Sequence, residues 1–167
     1  PTAVPPCSSV VTVNVLTVTT DEQGGTAIGN ASTTTGASML SPGTPTRAGY
    51  TFAGWYAAAS GGSAITFPYA HGRTTDFTLF ARWTANTLSV SYDANGGTSP
   101  SGGVISTTTG STLSSLATTT RAGYGFTGWF TAASGGTHVT TSAGHGQTAG
   151  FTLYAQWTTN TLTVTTD

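Results

Sequence analysis

One block of ten residues occurs twice, and the rest of the chain keeps step with it. Arg47-Ala48-Gly49-Tyr50-Thr51-Phe52-Ala53-Gly54-Trp55-Tyr56 returns as Arg121-Ala122-Gly123-Tyr124-Gly125-Phe126-Thr127-Gly128-Trp129-Phe130, 74 residues later. The same offset joins Ser60-Gly61-Gly62 to Ser134-Gly135-Gly136, His71-Gly72 to His145-Gly146, and Trp83 to Trp157. A fixed period of this length means that one structural unit has been duplicated. Thr33-Thr34-Thr35-Gly36 still meets Thr107-Thr108-Thr109-Gly110 at 74, but further upstream the offset falls to 72, joining Asn14 to Asn86, Asp21 to Asp93, and Gly24-Gly25 to Gly96-Gly97. The second copy therefore carries two extra residues, placed between Thr98 and Ser106 in a stretch of loop composition, Thr98-Ser99-Pro100-Ser101-Gly102-Gly103. Surface loops are where insertions are tolerated.

These offsets divide the chain into a lead-in with the start of a strand (1–13), repeat domain 1 (14–85), repeat domain 2 (86–159), and residues 160–167. The last segment, with Asn160-Thr161-Leu162-Thr163-Val164, restarts the pattern 74 residues after Asn86. It reads as an orphan first strand of a third unit, either cut from a longer array or paired with something else. Cores of about 70 residues lie near the lower limit for independent folding.

Charged residues make up only 5% of the 167, with a net charge of −1, against about 25% in ordinary globular chains. There is no basic patch to hold phosphates, which argues against nucleic acid. No apolar run is long enough for a membrane helix, which argues against membrane insertion. The chain begins at Pro1, as it would after removal of a leader. All four basic residues are arginines, which rules out cross-links through lysine. Threonine, serine, glycine and alanine fill the surface instead, and this suits an extracellular protein. Cys7 is the sole cysteine, so no intrachain disulfide forms; it is a candidate intermolecular thiol.

Val10–Thr20 reads as a long strand, with Val11, Val13 and Val15 on one face and a register change near Leu16. Leu88–Tyr92 is its counterpart. Asp93-Ala94-Asn95-Gly96-Gly97 follows as the kind of turn that a tight hairpin needs, and Val104–Thr109 is the returning strand. Ser111–Ala117, or Gly36–Leu40 in the first copy, is expected to form a short helix through Leu113 and Leu116, although its helix propensity is poor. Tyr50, Phe52, Trp55 and Tyr56 lie on a strand whose Gly54, like Gly128, marks a bulge or a close approach beneath a ring. Phe77, Leu79, Ala81 and Trp83 alternate with Thr78, Phe80 and Arg82, and Phe151–Trp157 repeats the alternation.

The expected core is thus Tyr50, Phe52, Trp55, Phe77, Leu79 and Trp83 in the first copy. In the second it is Tyr124, Phe126, Trp129, Phe151, Leu153 and Trp157. The four tryptophans could instead stack on sugars, but their place in the strand alternation favours the core, where each contributes about 2–3 kcal/mol.

The residues point to no catalytic, cofactor or metal site. Asp93-Ala94-Asn95-Gly96 lacks the later oxygen ligands of a calcium loop. His71, His138 and His145 have no ligand cluster beside them. No Gly-x-Ser-x-Gly elbow or carboxylate pair occurs, and Arg73 and Asp76 become Gln147 and Gly150 in the second copy. Arg47 and Arg121 are expected over an aromatic ring or on local carbonyls.

The chain resembles the Listeria–Bacteroides repeat, also called the internalin B-repeat. The resemblance rests on Tyr92-Asp93-Ala94-Asn95-Gly96-Gly97, on Thr120–Phe130, and on Phe151-Thr152-Leu153-Tyr154-Ala155-Gln156-Trp157. It covers all but roughly the first 13 residues. It implies a mainly β (α+β) chain of tandem β-grasp, ubiquitin/SUMO-like domains on bacterial surface proteins, serving as stalk, spacer or adhesion module. This chain carries fewer lysines and acids than many such repeats, so binding to anionic host polymers does not carry over.

Three roles follow as expectations. A rigid stalk is favoured by the glycine-free junction Thr84-Ala85-Asn86-Thr87. Self-assembly with copies of itself, or pairing with neighbouring repeats, would use Val11, Val13, Val15, Leu162 and Val164 by strand addition. An adhesin would grip host glycan or protein through exposed aromatics and threonines.

Overall fold

The computed structural model describes residues 13–164, which fall into two compact units. The first combines the chain up to Arg47 with Phe52–Trp83, and the second combines Ala48–Thr51 with the chain from Thr84 onward. In the first copy the strands are β1 (Val15–Asp21), β2 (Ala31–Thr34), β3 (Ser38–Met39), β4 (Tyr50–Tyr56), β5 (Tyr69–Ala70) and β6 (Phe77–Ala85). Four of them form a sheet in the order β2-β1-β6-β4, while β3 and β5 pair separately. β1 runs antiparallel to β2, with Val15 opposite Thr34 and Val18 opposite Ala31. It runs parallel to β6, with Val18 opposite Phe77 and Asp21 opposite Phe80.

The second copy has β7 (Thr87–Asp93), β8 (Ile105–Thr108), β9 (Tyr124–Phe130), β10 (His138–Val139) and β11 (Phe151–Thr159). Their order is β10-β9-β11-β7-β8. β7 is again antiparallel to the strand after it and parallel to the last strand, Phe151 facing Val90 and Tyr154 facing Asp93.

Period-two patterning dictates which face is covered. In β6, Leu79 and Ala81 are buried and Thr78, Phe80 and Arg82 point the other way. In β11, Leu153 and Ala155 occupy the same places. One core gathers Val18, Met39, Trp55, Leu79 and Ala81; the other gathers Val90, Leu113, Trp129, Leu153 and Ala155.

A parallel pair of first and last strands requires the chain to cross the sheet. The expected helix is not what crosses it. Among the described residues there is no helix, so the mainly β half of the expected class holds and the α+β half does not. In the first copy the segment expected to be helical contains β3. In the second it runs extended, anchored by bridges Thr112–Gly144 and Ser101–Thr118. Serine and threonine explain this, because their hydroxyls compete for backbone groups that a helix would use. Ser111 Oγ donates to Thr108 O at 2.6 Å and accepts from the Thr108 N–H at 3.2 Å. The two leucines still turn inward: Leu113 is buried and Leu116 packs beside it.

The Asn-Gly turn is present, with Asn95 and Gly96 at φ of 47° and 88° and a bond from Gly97 N–H to Ala94 O of 3.0 Å. The returning strand also comes where it is expected, β8 at Ile105–Thr108 pairing antiparallel with β7, which ends at Asp93. The loop between them is drawn down under Trp157. The long first strand begins at Val15, with Val13 and Asn14 outside it; the expected part from Val10 to Thr12 lies outside the described residues.

The bulge sits where the glycine predicted it. The β9–β11 register shifts between Gln156 and Trp157, beside Gly128 at φ of 141°. A Cβ on Gly128 would stand 2.4 Å from His138 Nε2, so the imidazole occupies the space that the glycine leaves.

Gly97 gives the sharpest stability test. A Cβ there would lie 2.4 Å from Trp157 Cζ2 and 2.8 Å from Thr120 O. Gly97→Ala should cost about 1–3 kcal/mol in urea unfolding. Gly146→Ala, with open space around it, should stay within about 0.5 kcal/mol. Equal effects of the two would contradict this packing.

Candidate functional site

The described residues that recur with the same partners in both copies form a set of clasps between side chains and loop carbonyls. The tryptophans come first. Trp55 and Trp129 have their rings almost wholly buried, and their indole N–H groups donate to Gly43 O at 2.8 Å and Ala117 O at 2.7 Å. These carbonyls lie on the crossing segment. Trp83 and Trp157, half-buried, donate to Glu22 O at 2.8 Å and Ala94 O at 3.0 Å, in the turn after the first strand. Between each pair stands a phenylalanine. Phe52 meets Trp55 and Trp83 with centroids 5.5 Å away in both cases; Phe126 meets Trp129 and Trp157 at 5.6 and 5.3 Å. Trp55 and Trp129 are thereby spent on the core, Phe126, expected there, stays 42% exposed at its rim, and each indole N–H is bonded inside its copy.

A second clasp holds the Gly-Gly turn. Arg82 Nη2 donates to Ala58 O at 2.9 Å and also to Gly61 O, with its guanidinium 3.9 Å over the Tyr56 ring. In the second copy Gln156 Nε2 reaches Ala132 O at 3.0 Å and Gly135 O at 2.6 Å. Charge is dispensable here, because both side chains offer donors of similar reach. A third clasp uses the repeated arginine. Arg47 Nη1 donates to Gln23 O at 3.1 Å and Arg121 Nη1 to Asn95 O at 3.4 Å. Arg121 also lies 3.9 Å over the Tyr124 ring.

Most of the remaining polar candidates are occupied structurally, although the buried His145 Nδ1 has no hydrogen-bond partner among the described residues. Asp93 Oδ1 accepts the Asn95 N–H at 2.8 Å, and the Asn95 amide donates to Ala133 O and Ala155 O, both at 2.9 Å. Asp21 accepts from Gln23 N–H at 3.0 Å. His71 Nδ1 accepts the Arg73 N–H at 2.9 Å while Nε2 faces Thr33 Oγ1 at 3.2 Å; His145 Nε2 faces Thr107 Oγ1 at 3.1 Å. Among the described residues no three His, Cys, Asp or Glu side chains gather to hold a metal ion.

The assembly candidates lie elsewhere. Val13, ahead of β1, and Val15, its first residue, are exposed, and β2 and β8 are edge strands. Asn160–Val164 is in no strand; Leu162 is 91% and Val164 84% exposed. Asn160 is tied at its N–H, which donates to Gly123 O at 3.0 Å. Cys7 and Val11 lie outside the described residues. Beside β2 an open cleft of about 490 Å³ is lined by Val15, Met39 and Leu40. Its equivalent beside β8, about 240 Å³, presents Thr87, Thr112 and Ser114.

The sequence marks Gly25 and Gly97 as repeated and Asn95 as a turn residue, but not the packing of the two glycines under Trp83 and Trp157, the two carbonyls that the Asn95 amide binds, or the Arg82–Gln156 clasp. The glycines carried a usable signal, because each is the second of a Gly-Gly pair repeated in both copies. The Arg82–Gln156 pair carried none, since its identity changes between copies.

With this geometry in place, the comparisons with known proteins have a structural meaning. A profile of the Listeria-Bacteroides repeat domain matches residues 17–82 and 89–156. Internalin H of Listeria monocytogenes is 37% identical over 131 residues, covering 77% of this chain and 23% of internalin H. A chain of Evansella cellulosilytica named as a membrane protein is 30% identical over 155 residues, 89% of this chain and 22% of its own length. A second one, named as a Gly-rich membrane protein, is 29% identical over 156 residues, 91% of this chain and 17% of its own length. The chain thus spans less than a quarter of the length of these relatives.

One acid in the clasps has a pH signature. Partial burial pushes the Glu22 carboxyl up, but bonds from the Thr20 hydroxyl at 2.7 Å and the Ile28 N–H at 3.1 Å together outweigh it and hold it below the usual range. A depressed folded value stabilises the fold above the unfolded pKa, and this is lost as pH falls through the folded one. Urea unfolding of the wild type and Glu22→Gln, followed from about pH 7 to about pH 3, should show a gap that closes on acidification. A gap independent of pH would contradict the assignment.

Proposed function

The chain belongs to the Listeria–Bacteroides repeat family, and from that membership we propose that it is a non-enzymatic repeat module of a bacterial surface protein, working outside the cell as a stalk or fibre segment. The observation that carries this is the duplication of one closed unit with almost nothing between the copies. The closing strand of the first ends at Ala85 and the opening strand of the second begins at Thr87. Asn86 between them is fastened by its own N–H, which donates to Gly49 O at 2.9 Å. Asn160 makes the matching bond to Gly123. A spacer needs units that repeat with short joints, and this sequence supplies them. No helix among the described residues is long and apolar enough to cross a membrane.

Each unit fits a β-grasp sheet built without its helix. The first strand is central, parallel to the last, with its hairpin partner beside it. An extended, leucine-bearing segment takes the place that a helix would occupy. On this reading residues 14–85 and 86–159 are the two domains, and the sequence of 160–167 resembles the opening strand of a repeat. Carbon chemical shifts showing a helix at residues 111–120 would refute the helix-free reading.

A second reading is favoured by the exposure of Leu162 and Val164 and by the edge strands: the segment from Asn160 onward adds to a sheet edge of another copy. The adhesin reading has less support, because the indoles face the cores. It would rest on the outward Phe80, Tyr154 and Phe130, with Tyr56, and on a neutral, hydroxyl-rich surface that suits uncharged glycan.

Small-angle scattering with light scattering separates these roles. The stalk reading expects an elongated monomer of fixed length; freely reorienting units would refute it. Strand addition expects larger assemblies that vanish when Asn160–Asp167 is deleted, and assemblies unchanged by the deletion would exclude it.

A further inference from the structure

The strands by which tension enters and leaves each unit are the same two strands that lie side by side in parallel. β1 opens the first sheet and β6 closes it; β7 opens the second and β11 closes it. Pulling on the chain draws the opening strand toward its N-terminal end and the closing strand toward its C-terminal end. Because the two are parallel, these forces oppose along a shared axis. The contact is loaded in shear, and its backbone bonds must yield together rather than one after another.

The overlap is placed for this. Val18–Asp21 registers with Phe77–Phe80, and Val90–Asp93 with Phe151–Tyr154. Under each overlap lie fully buried side chains, Val18 with Leu79 and Val90 with Leu153, so water cannot readily replace a strained bond on that face. Side chains add cross-ties. In the first copy Thr17 N–H donates to Asp76 Oδ1 at 2.7 Å. In the second Ser91 Oγ meets Thr152 Oγ1 at 3.2 Å, while Gly150 stands where Asp76 would be.

We propose that each unit is a mechanical clamp, built to hold the parallel opening and closing strands against tension along the chain, with Asp76 a positioning residue that strengthens the first clamp. The use of such a clamp rests on the stalk reading; the clamp itself is a property of one unit and is tested separately from particle shape.

Single-molecule force spectroscopy on the full chain tests it, with Cys7→Ser removing the native thiol. Handles at Thr87→Cys and Thr159→Cys load β7 against β11 in shear. Handles at Thr87→Cys and Thr112→Cys peel β7 from β8 instead. Shear should need a several-fold higher force and release up to roughly 240 Å of chain, at about 3.3–3.6 Å per residue. Equal forces in the two geometries would overturn the clamp even if scattering showed an extended stalk. Pulling from the chain ends, Asp76→Ala should lower one of two unfolding peaks and leave the other unchanged. Two unchanged peaks would remove Asp76 from the account. Chemical unfolding of the same variant reports whether it has lost general stability, which would instead make Asp76 a structural residue only.

Discussion

Four bonds from indole N–H groups to loop carbonyls hold this fold in place of a helix. Each sheet has one face to cover and little with which to cover it. The crossing segments are rich in serine, threonine and glycine, and such a chain does not make a rigid layer by itself. The tryptophans supply that rigidity. The ring fills the space between sheet and loop, and its single donor fixes which loop carbonyl lies above it. A buried carbonyl left without a partner costs about 1–3 kcal/mol, so the bond selects one path for the loop. In each copy one indole binds the crossing segment and the other binds the turn after the first strand. The phenylalanine between them, Phe52 or Phe126, packs on both rings, edge to face in three of the four contacts and tilted between Phe126 and Trp157.

The glycines follow from the tryptophans. Gly25 and Gly97 lie where a Cβ would strike the Trp83 or Trp157 ring at 2.4 Å. Gly54 and Gly128 tell the opposite story. There the covering group changes from Ala64 to His138, and only the backbone conformation, φ of 130° or 141°, is kept. Duplication thus separates what the geometry demands from what it tolerates. Arg82 and Gln156 hold the same turn without sharing a charge, whereas no described substitution between copies alters an indole clasp.

Much of this could be read from the residues, for a physical reason. Strand alternation at Phe77–Trp83 and Phe151–Trp157 reports burial directly, and Leu79, Ala81, Leu153 and Ala155 are the buried positions. Leu113 and Leu116 satisfy both a helical spacing and an extended one pressed on a core, so their pattern alone does not exclude a helix; the hydroxyls around them decide for the extended form. Asn95-Gly96 marks a turn but not its continuation, since the loop's path is set by Trp157, 60 residues after Gly97 in sequence. Phe126, expected in the core, is 42% exposed, because its ring lies at the rim between two indoles. The carbonyl partners of the clasps could not be read at all, because a backbone acceptor leaves no mark in the side-chain pattern.

The most direct test is hydrogen exchange of the four indole N–H protons by NMR, assigned through single Trp→Phe variants. If the clasps hold the fold, the Trp55 and Trp129 protons exchange only when their own unit opens. They should then match the slowest amides of β6 and β11, with Trp83 and Trp157 protected to a lesser degree. Exchange of the Trp55 and Trp129 protons at the rate of free indole, while those strand amides stay protected, would contradict the account.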